Sequence, residues 1–344
     1  MSTLTLPSLH RFDVNEATMY AEATELARAR SKVPLGSPGS VVREDRDGKS
    51  YFYRYRHLLD GRREKVYLGA DEVQGTLDVN DDRRVSELVQ KLRRLGYTTA
   101  DAPSTLVLGT LANAGVFSGG GALVGTHAYG AILNQLGYRP SPSPRTDDID
   151  IARGRAIELA SELPSGLVGL LLETGLPFWE VPELDRKRPS TSFAVRGERL
   201  RVDLLVPSRR GPPYESVLVP ELNAHAVTLP YLDYLIEVLE DTVVLGRTQV
   251  VPVRVPNPGR FAIHKLAISQ LRPGTGNPKV DKDILQAAAL AAILVEEYPS
   301  SFRDAVKDAP ASLRKKAAPA AGKAVALLSR NHAAAAAELD ALVR

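Results

Sequence analysis

The strongest constraint in this 344-residue sequence is the segment DDIDIA at 147–152, in which acidic and apolar residues alternate. Successive side chains of a β-strand point to opposite faces of its sheet. As a strand, the segment places Ile149 and Ile151 on one face. Asp148 and Asp150 then share the other face. The isoleucine face suits a hydrophobic core, so the sequence predicts a strand that carries two carboxylates, one residue apart, beside that core.

The segment RLRVDLLVP at 199–207 repeats this pattern with one acid. It follows TSFAVRG at 191–197, and the two segments are predicted to form a β-hairpin. Apolar residues occupy the even positions from 200 to 206, whereas Arg201 and Asp203 lie on the opposite face. If this strand and the DDIDIA strand are neighbours, Asp203 joins the two other carboxylates.

Three carboxylates a few ångströms apart raise one another's pKa unless cations neutralise them. Carboxylate oxygens are hard ligands that suit Mg²⁺, which also binds substrate phosphates. Two such ions about 3.5–4 Å apart can hold both the attacking and the leaving oxygen of a phosphoryl transfer. The sequence therefore predicts a metal site at Asp148, Asp150 and Asp203, with Mg²⁺ as the ion and Mn²⁺ as its substitute. Taken alone, an Asp-x-Asp pair also fits a surface strand or a turn.

The stretch GGALVGTHAYGAILNQLG at 120–137 predicts an apolar strand, a Gly125–Thr126 turn and a helix. Glycine lets backbone N–H groups approach a phosphate closely, and the N-terminus of a helix favours anions. The Thr126 hydroxyl adds a further donor. Two interpretations of His127 stay open: it reaches the site from the turn, or it is a capping or buried structural histidine.

The N-terminal region is more basic than the whole chain, whose formal net charge is only +3. Between residues 28 and 65 there are eleven Lys or Arg against five acids. Within it, SYFYRYRHLLDGRREKVYLG at 50–69 predicts a β-hairpin with its turn at Asp60–Gly61. In one interpretation its aromatic residues stack on bases and its cations contact phosphates. In the other, its aromatics face inward and its arginines outward.

Several classes of protein are excluded or disfavoured by composition. The absence of cysteine excludes disulfides, zinc–thiolate sites and thiol catalysis. The first residues lack a signal-peptide core, and no segment approaches the roughly 20 apolar residues of a membrane span. We therefore expect a cytoplasmic protein without a membrane partner.

Helical patterns flank the strands. They are predicted at 13–33, 81–96 and 154–163, and from residue 260 to the alanine-rich end of the chain. A change of pattern near residue 100 suggests a first domain boundary. The fold class expected from these elements is α+β, a mixed sheet flanked by helices, with a helical C-terminal domain.

At the residues described above, the sequence resembles the nucleotidyltransferase superfamily that includes DNA polymerase beta, CCA-adding enzymes and kanamycin nucleotidyltransferase. The matching elements are LVGT, the helix after it, DID and RVDLL, within residues 105–210. The resemblance implies Mg²⁺-dependent transfer of a nucleoside monophosphate from an NTP, with release of pyrophosphate. It implies that Asp148 and Asp150 bind the metal, that Asp203 is a ligand or general base, and that Gly125 and Thr126 hold the triphosphate.

The stretch RFAIHKLAISQLRPGTGNPKVDKDILQ at 260–286 is similar to the AbiEii-type toxins and related bacterial proteins of this fold. The resemblance implies a nucleotide-binding role for Lys265, Arg272, Lys282 and Asp283, the first two on phosphates. Those toxins carry a further acid where this chain has Gln286. His264–Lys265 also fits a helix face that packs beside a charge.

The resemblance to toxins, together with the basic aromatic hairpin, points to an RNA acceptor such as a tRNA end, and to a toxin–antitoxin context. A small hydroxylated molecule, a protein side chain, or a non-catalytic nucleic-acid-binding protein of the same fold are the alternatives. The domains expected are an N-terminal helix and hairpin region at 1–100, a catalytic domain at 101–255 and a helical domain at 256–344. Oligomeric state cannot be inferred from the sequence.

Overall fold

The computed structural model describes residues 4–58, 61–69, 72–141, 146–154, 156–159, 163, 165–183, 185, 188–208, 213–274 and 277–342. The strands within these ranges are β1 (Ser8–Arg11), β2 (Ser40–Arg46), β3 (Lys49–His57), β4 (Arg63–Gly69), β5 (Gly121–Val124), β6 (Tyr138–Ser141), β7 (Asp148–Arg153), β8 (Phe178–Glu180), β9 (Ser192–Val195), β10 (Arg201–Pro207), β11 (Ser216–Val219), β12 (Ala224–Leu229), β13 (Leu239–Leu245) and β14 (Val250–Pro256).

The helices are α1 (Val14–Arg28), α2 (Glu72–Leu95), α3 (Ala102–Asn113), α4 (Gly125–Leu136), α5 (Gly166–Leu172), α6 (Leu232–Ile236), α7 (Pro258–Ser269), α8 (Pro278–Glu297), α9 (Pro299–Asp308), α10 (Ala311–Leu328) and α11 (Ala333–Asp340).

A mixed sheet forms the centre of the molecule, with strand order β11-β12-β10-β7-β5; β9 joins it through β10, and β8 joins β9. β7 and β10 run parallel, whereas β5 pairs with β7 in the antiparallel sense. The predicted hairpin is present, because β9 and β10 pair antiparallel. The α+β class expected from the sequence is confirmed.

The predicted alternation is also present in the central strands. Ile149 and Ile151 of β7, and Val202 and Leu204 of β10, are fully buried. They belong to one hydrophobic core that also takes in the helices after β14. The opposite face of β7 and β10 is therefore the one that carries the polar side chains of these strands.

The chain is helical from α7 onward, as predicted from residue 260, and these helices share one hydrophobic core with the central sheet. The alanines of α8 let neighbouring helices approach closely, and Ala287 to Ala292 are buried. Asn257 and Asn277 cap α7 and α8 by accepting backbone N–H bonds, which fixes where both helices begin. These two helices supply one wall of the site described below.

The N-terminal region forms a separate three-stranded antiparallel sheet, in the order β2-β3-β4. The predicted pairing of β3 with β4 is present, and Asp60 of the predicted turn lies outside the described residues. Buried Asp82 of α2 bonds to Arg30 and Arg54, which ties the small sheet to the helices. A second hydrophobic core is formed mainly by residues of α1, α2 and β13.

Three predicted helices differ from the structure. The helix predicted at 13–33 ends at Arg28, five residues early, and the helix predicted at 81–96 begins at Glu72, nine residues early. The helix predicted at 154–163 is wrong for the residues described there, 154, 156–159 and 163, none of which is helical. The backbone N–H of Ile157 donates to the Glu221 carboxylate at 2.9 Å, and that of Glu158 donates to Gly119 O at 2.9 Å. Those tertiary bonds use the donors that a helix needs. Among the described helices, none is long and apolar enough to cross a bilayer.

Candidate active site

The parallel pairing of β7 with β10 brings the three predicted carboxylates together. Asp203 lies directly across from Asp150, and Arg201 lies across from Asp148. The three acids line one cavity of about 540 Å³. This volume falls in the usual range of small-molecule sites, about 300–1,000 Å³. The three acids converge only because β7 and β10 are neighbours, which the sequence analysis assumed and the structure shows.

Gly125 stands against this acidic group, because Val124 pairs with Asp150 across β5 and β7. Its φ is +70°, a conformation that side chains rarely adopt. A Cβ at this position would lie 1.9 Å from Asp150 Oδ2. Glycine is therefore required here both by backbone conformation and by the space that Asp150 occupies.

The helix after this turn points its N-terminus at the cavity. Gly125 is the first residue of α4, and Thr126 lines the cavity beside it. In the described structure no side chain caps the start of α4. The first N–H groups of a helix lack partners within the helix and favour an anion. This end of α4 can therefore receive a phosphate.

Burial of the carboxylates makes their ionised forms less favourable. Burial, followed by the nearby charge of Asp203, raises the pKa of Asp150 to about 7. Burial also raises the pKa of Asp203. Both shifts arise mainly because burial disfavours the ionised carboxylate, and a bound cation would oppose both.

A basic wall faces the acids from α7, α8 and the turn between them. Lys265 Nζ lies 2.9 Å from Asp283 Oδ1, and Arg272 Nε lies 2.5 Å from Asp283 Oδ2. The Asp283 side chain is only 2% exposed. Burial alone would raise the pKa of Asp283, but the two cations outweigh it and the pKa is lowered. Asp283 thus holds the heads of Lys265 and Arg272 in place at the cavity.

The wall includes one further residue that the sequence analysis did not select. Lys279 lines the cavity next to the predicted Lys282, three residues further on. Burial, then the charge of Lys265, lowers the pKa of Lys282. The i, i+3 spacing after the Asn277 cap places both lysines on one face of α8 and would have identified Lys279.

His264 also lines the cavity. Burial lowers its pKa to about 3, so the ring is neutral at physiological pH. Its Nε2 has no hydrogen-bond partner among the described residues. A neutral buried ring agrees with the interpretation in which this part of α7 packs beside the charge of Lys265.

A comparison with known protein families decides the class of protein. A family model described as Nucleotidyltransferase matches residues 103–311, more than half of the chain. The chain belongs to this nucleotidyltransferase family. No curated protein and no solved structure matches it. The match spans the Gly125 turn, the three acids and the basic wall. The protein is accordingly a transferase of phosphorus-containing groups with an NTP as substrate.

The donor set of this nucleotidyltransferase fits a hard divalent cation. Among the described residues, no group of three or more His, Asp or Glu side chains is arranged so that it could hold a metal ion. An ion that keeps several waters and binds substrate phosphates needs only one or two carboxylates from the protein. Asp148, Asp150 and Asp203 offer such oxygens at one cavity, where burial and the charge of Asp203 raise the pKa of Asp150.

His127 of the nucleotidyltransferase lines a neighbouring cavity instead of the acidic one; the two cavities share Thr126 and Thr146. Burial lowers the pKa of His127 to about 4. Its Nε2 is buried and has no hydrogen-bond partner in the described part of the chain. This environment favours the interpretation of His127 as a buried structural histidine.

Proposed function

We propose that this nucleotidyltransferase moves a nucleoside monophosphate from an NTP to an RNA acceptor, with Mg²⁺ as cofactor and pyrophosphate as the second product. The observation that carries the proposal is the single cavity in which Asp148, Asp150 and Asp203 face Gly125 and the basic wall. One side of this cavity thus carries acids that can bind a metal ion. The other side carries basic residues that can bind phosphates.

Each side of the cavity has a separate task in this proposal. The N-terminus of α4, with Gly125 and Thr126, holds phosphate oxygens, and Lys265 and Arg272 contact them from the opposite wall. Asp148 and Asp150 would hold Mg²⁺, and Asp203 would act beside them as the general base. When bound, the ion neutralises the carboxylates and withdraws charge from the phosphate oxygens.

The chemical step requires one proton transfer. The acceptor hydroxyl forms the new bond to the α-phosphorus as the bond to pyrophosphate breaks. Asp203 takes the proton of that hydroxyl, since a carboxylate whose pKa is raised toward neutrality is a better base. Most of the rate enhancement comes from alignment and charge neutralisation, as in other phosphoryl transfers.

RNA is favoured as the acceptor by the basic, tyrosine-rich sheet β2-β3-β4, which lies outside the family match at 103–311. The narrower form of the proposal follows the resemblance to AbiEii-type toxins: the acceptor is a tRNA end, and the protein is a toxin with a cognate antitoxin.

The test is label transfer from each of four α-labelled NTPs, with Mg²⁺ and total cellular RNA. We expect label in one class of RNA with the wild type and none with Asp148→Asn. Asp147→Asn is the matched control, because Asp147 is exposed, adjacent and outside the acidic cavity. Label in tRNA supports the narrower form. Bound NTP without labelled RNA would overturn the RNA acceptor, and absence of NTP binding would overturn the proposal altogether.

A further inference from the structure

The small sheet β2-β3-β4 turns its tyrosines outward and its central arginines inward. Along β3, exposure alternates: Phe52 and Arg54 are buried, whereas Tyr51, Tyr53 and Tyr55 are more accessible. Tyr55 is 38% exposed, and Arg54 is 9% exposed. The interpretation with aromatics inside and arginines outside holds for Phe52 but is wrong for the tyrosines and for Arg54.

The inward arginines are already paired. Arg54 Nε donates to Pro38 O at 2.8 Å, and the same guanidinium bonds to Asp82. Arg56 Nε donates to Glu64 Oε2 at 2.5 Å. These two arginines stabilise the attachment of the sheet and are not available for phosphates.

The outward side carries a group that we call the tyrosine face, made of Tyr51, Tyr53, Tyr55, Tyr67 and Lys65. Tyr67 of β4 lies opposite Tyr53, with ring centroids 5.3 Å apart. The Tyr51 and Tyr67 centroids are 6.1 Å apart. Lys65 Nζ lies 4.0 Å from the centre of the Tyr53 ring. Tyr67 is 53% exposed. Aromatic rings thus stand close together on an accessible sheet.

The charge around the tyrosine face is positive. Among the described strand residues, the register places Arg46, Lys49 and Arg63 on the same side as Lys65, and Glu44 is the one acid on that side. Glu44 is bound by Lys65 at 2.6 Å and by Arg46 at 2.8 Å. Four cations and one acid give this side a net charge of +3, which favours a polyanion.

We propose that the tyrosine face binds unpaired bases of the acceptor RNA by stacking, while the surrounding cations contact its phosphates. The inference rests on the proposed function and names the surface that holds the acceptor. Stacking needs bases with free faces, so a single strand fits and a duplex does not. A protein occupant fits less well, because the centres of protein interfaces are depleted of lysine, and Lys65 lies among the tyrosines.

The test is fluorescence anisotropy of a labelled 12-nucleotide single-stranded RNA, without NTP or Mg²⁺. Tyr53→Ala/Tyr67→Ala should weaken binding at least tenfold, since each stacked base contributes roughly a factor of ten. Tyr53→Phe/Tyr67→Phe keeps both rings and should bind within about threefold of the wild type. Tyr298→Ala is the matched control, because Tyr298 is 50% exposed and lies outside the small sheet. Tyr67→Ala alone is measured as well, with its melting curve, so that the test still applies if the double variant misfolds.

Two results would overturn the inference: undiminished RNA binding by the folded alanine variants, or equal binding of the same RNA as a duplex. Failure of the wild type to bind single-stranded RNA would also overturn it, even if a protein occupies this face. Label transfer separates this failure from that of the proposed function. If tyrosine-dependent binding occurs without nucleotide transfer, the proposed function falls and the binding surface stands. If transfer to RNA is unchanged in the alanine variants, the inference alone falls.

Discussion

At the scale of single residues, Gly125 shows how closely the turn and the acids are fitted together. We predict that Gly125→Ala lowers kcat by roughly 100-fold, because displacement of Asp150 by about 1 Å disturbs alignment. The unfavourable φ should also lower the free energy of unfolding by about 1–3 kcal/mol. Gly137→Ala is the control: its φ is +78°, with open space around its would-be Cβ. Urea unfolding should show a loss of stability in both variants, because both glycines have a positive φ, whereas steady-state kinetics should show a loss of activity in Gly125→Ala only. Equal activity of the two variants would contradict the prediction.

Asp150 shows the conflict between stability and function at one carboxylate. Its pKa, raised to about 7, makes ionisation costly in the folded state. The penalty is absent below the unfolded pKa near 4, grows as pH rises, and is complete above 7. In EDTA at pH 8, Asp150→Asn should therefore be more stable than the wild type by on the order of 2 kcal/mol, although inactive. Urea unfolding at pH 5 should give a smaller difference, and a gain independent of pH would argue against this cause.

The elements illustrate what sequence periodicity can and cannot supply. Alternation along β7 and β10 predicted the acidic faces, because a two-residue period follows from strand geometry alone. The parallel register that sets Asp203 beside Asp150 depends on how the 52 residues between them fold, and the sequence analysis only assumed it. The wrong helix at 154–163 has the same origin, because its N–H groups bond to distant Glu221 and Gly119. The outward orientation of the β3 tyrosines could not be predicted from the sequence either, because it depends on which elements pack on the sheet.

The pairing of α7 with α8 leads to a prediction at this scale. Asp283→Asn should leave Lys265 partly uncompensated and loosen Arg272, since removal of one partner from a buried charge group costs about 3–5 kcal/mol. We expect a KM for NTP at least tenfold higher, with kcat changed less. Asp281→Asn is the matched control, because Asp281 is exposed on the same helix. Similar KM values for the two variants would show that Asp283 does not position the cations.

At the scale of the whole molecule, the distribution of charge matters more than its sum. The net charge of the chain is +3, and the cations on and around the tyrosine face, less Glu44, give that side of the small sheet a charge of the same size. The acids of the chain are instead used in the active cavity and in ion pairs, such as those of Asp82 and Asp283. A nearly neutral protein can therefore present a positive surface to RNA.

This distribution predicts different salt dependences for the two substrates. For single strands, each phosphate contact adds about 0.7 to the slope of log affinity against log salt. Three contacts on the tyrosine face would then raise the KM for RNA roughly 20-fold between 50 and 200 mM NaCl. The KM for NTP should rise much less, because its phosphates meet a partly buried wall that salt screens weakly. Initial rates with each substrate varied in turn would measure both effects. If the KM for RNA did not change with salt concentration, the acceptor would not be held through its phosphates. That result would favour a small-molecule or protein acceptor instead.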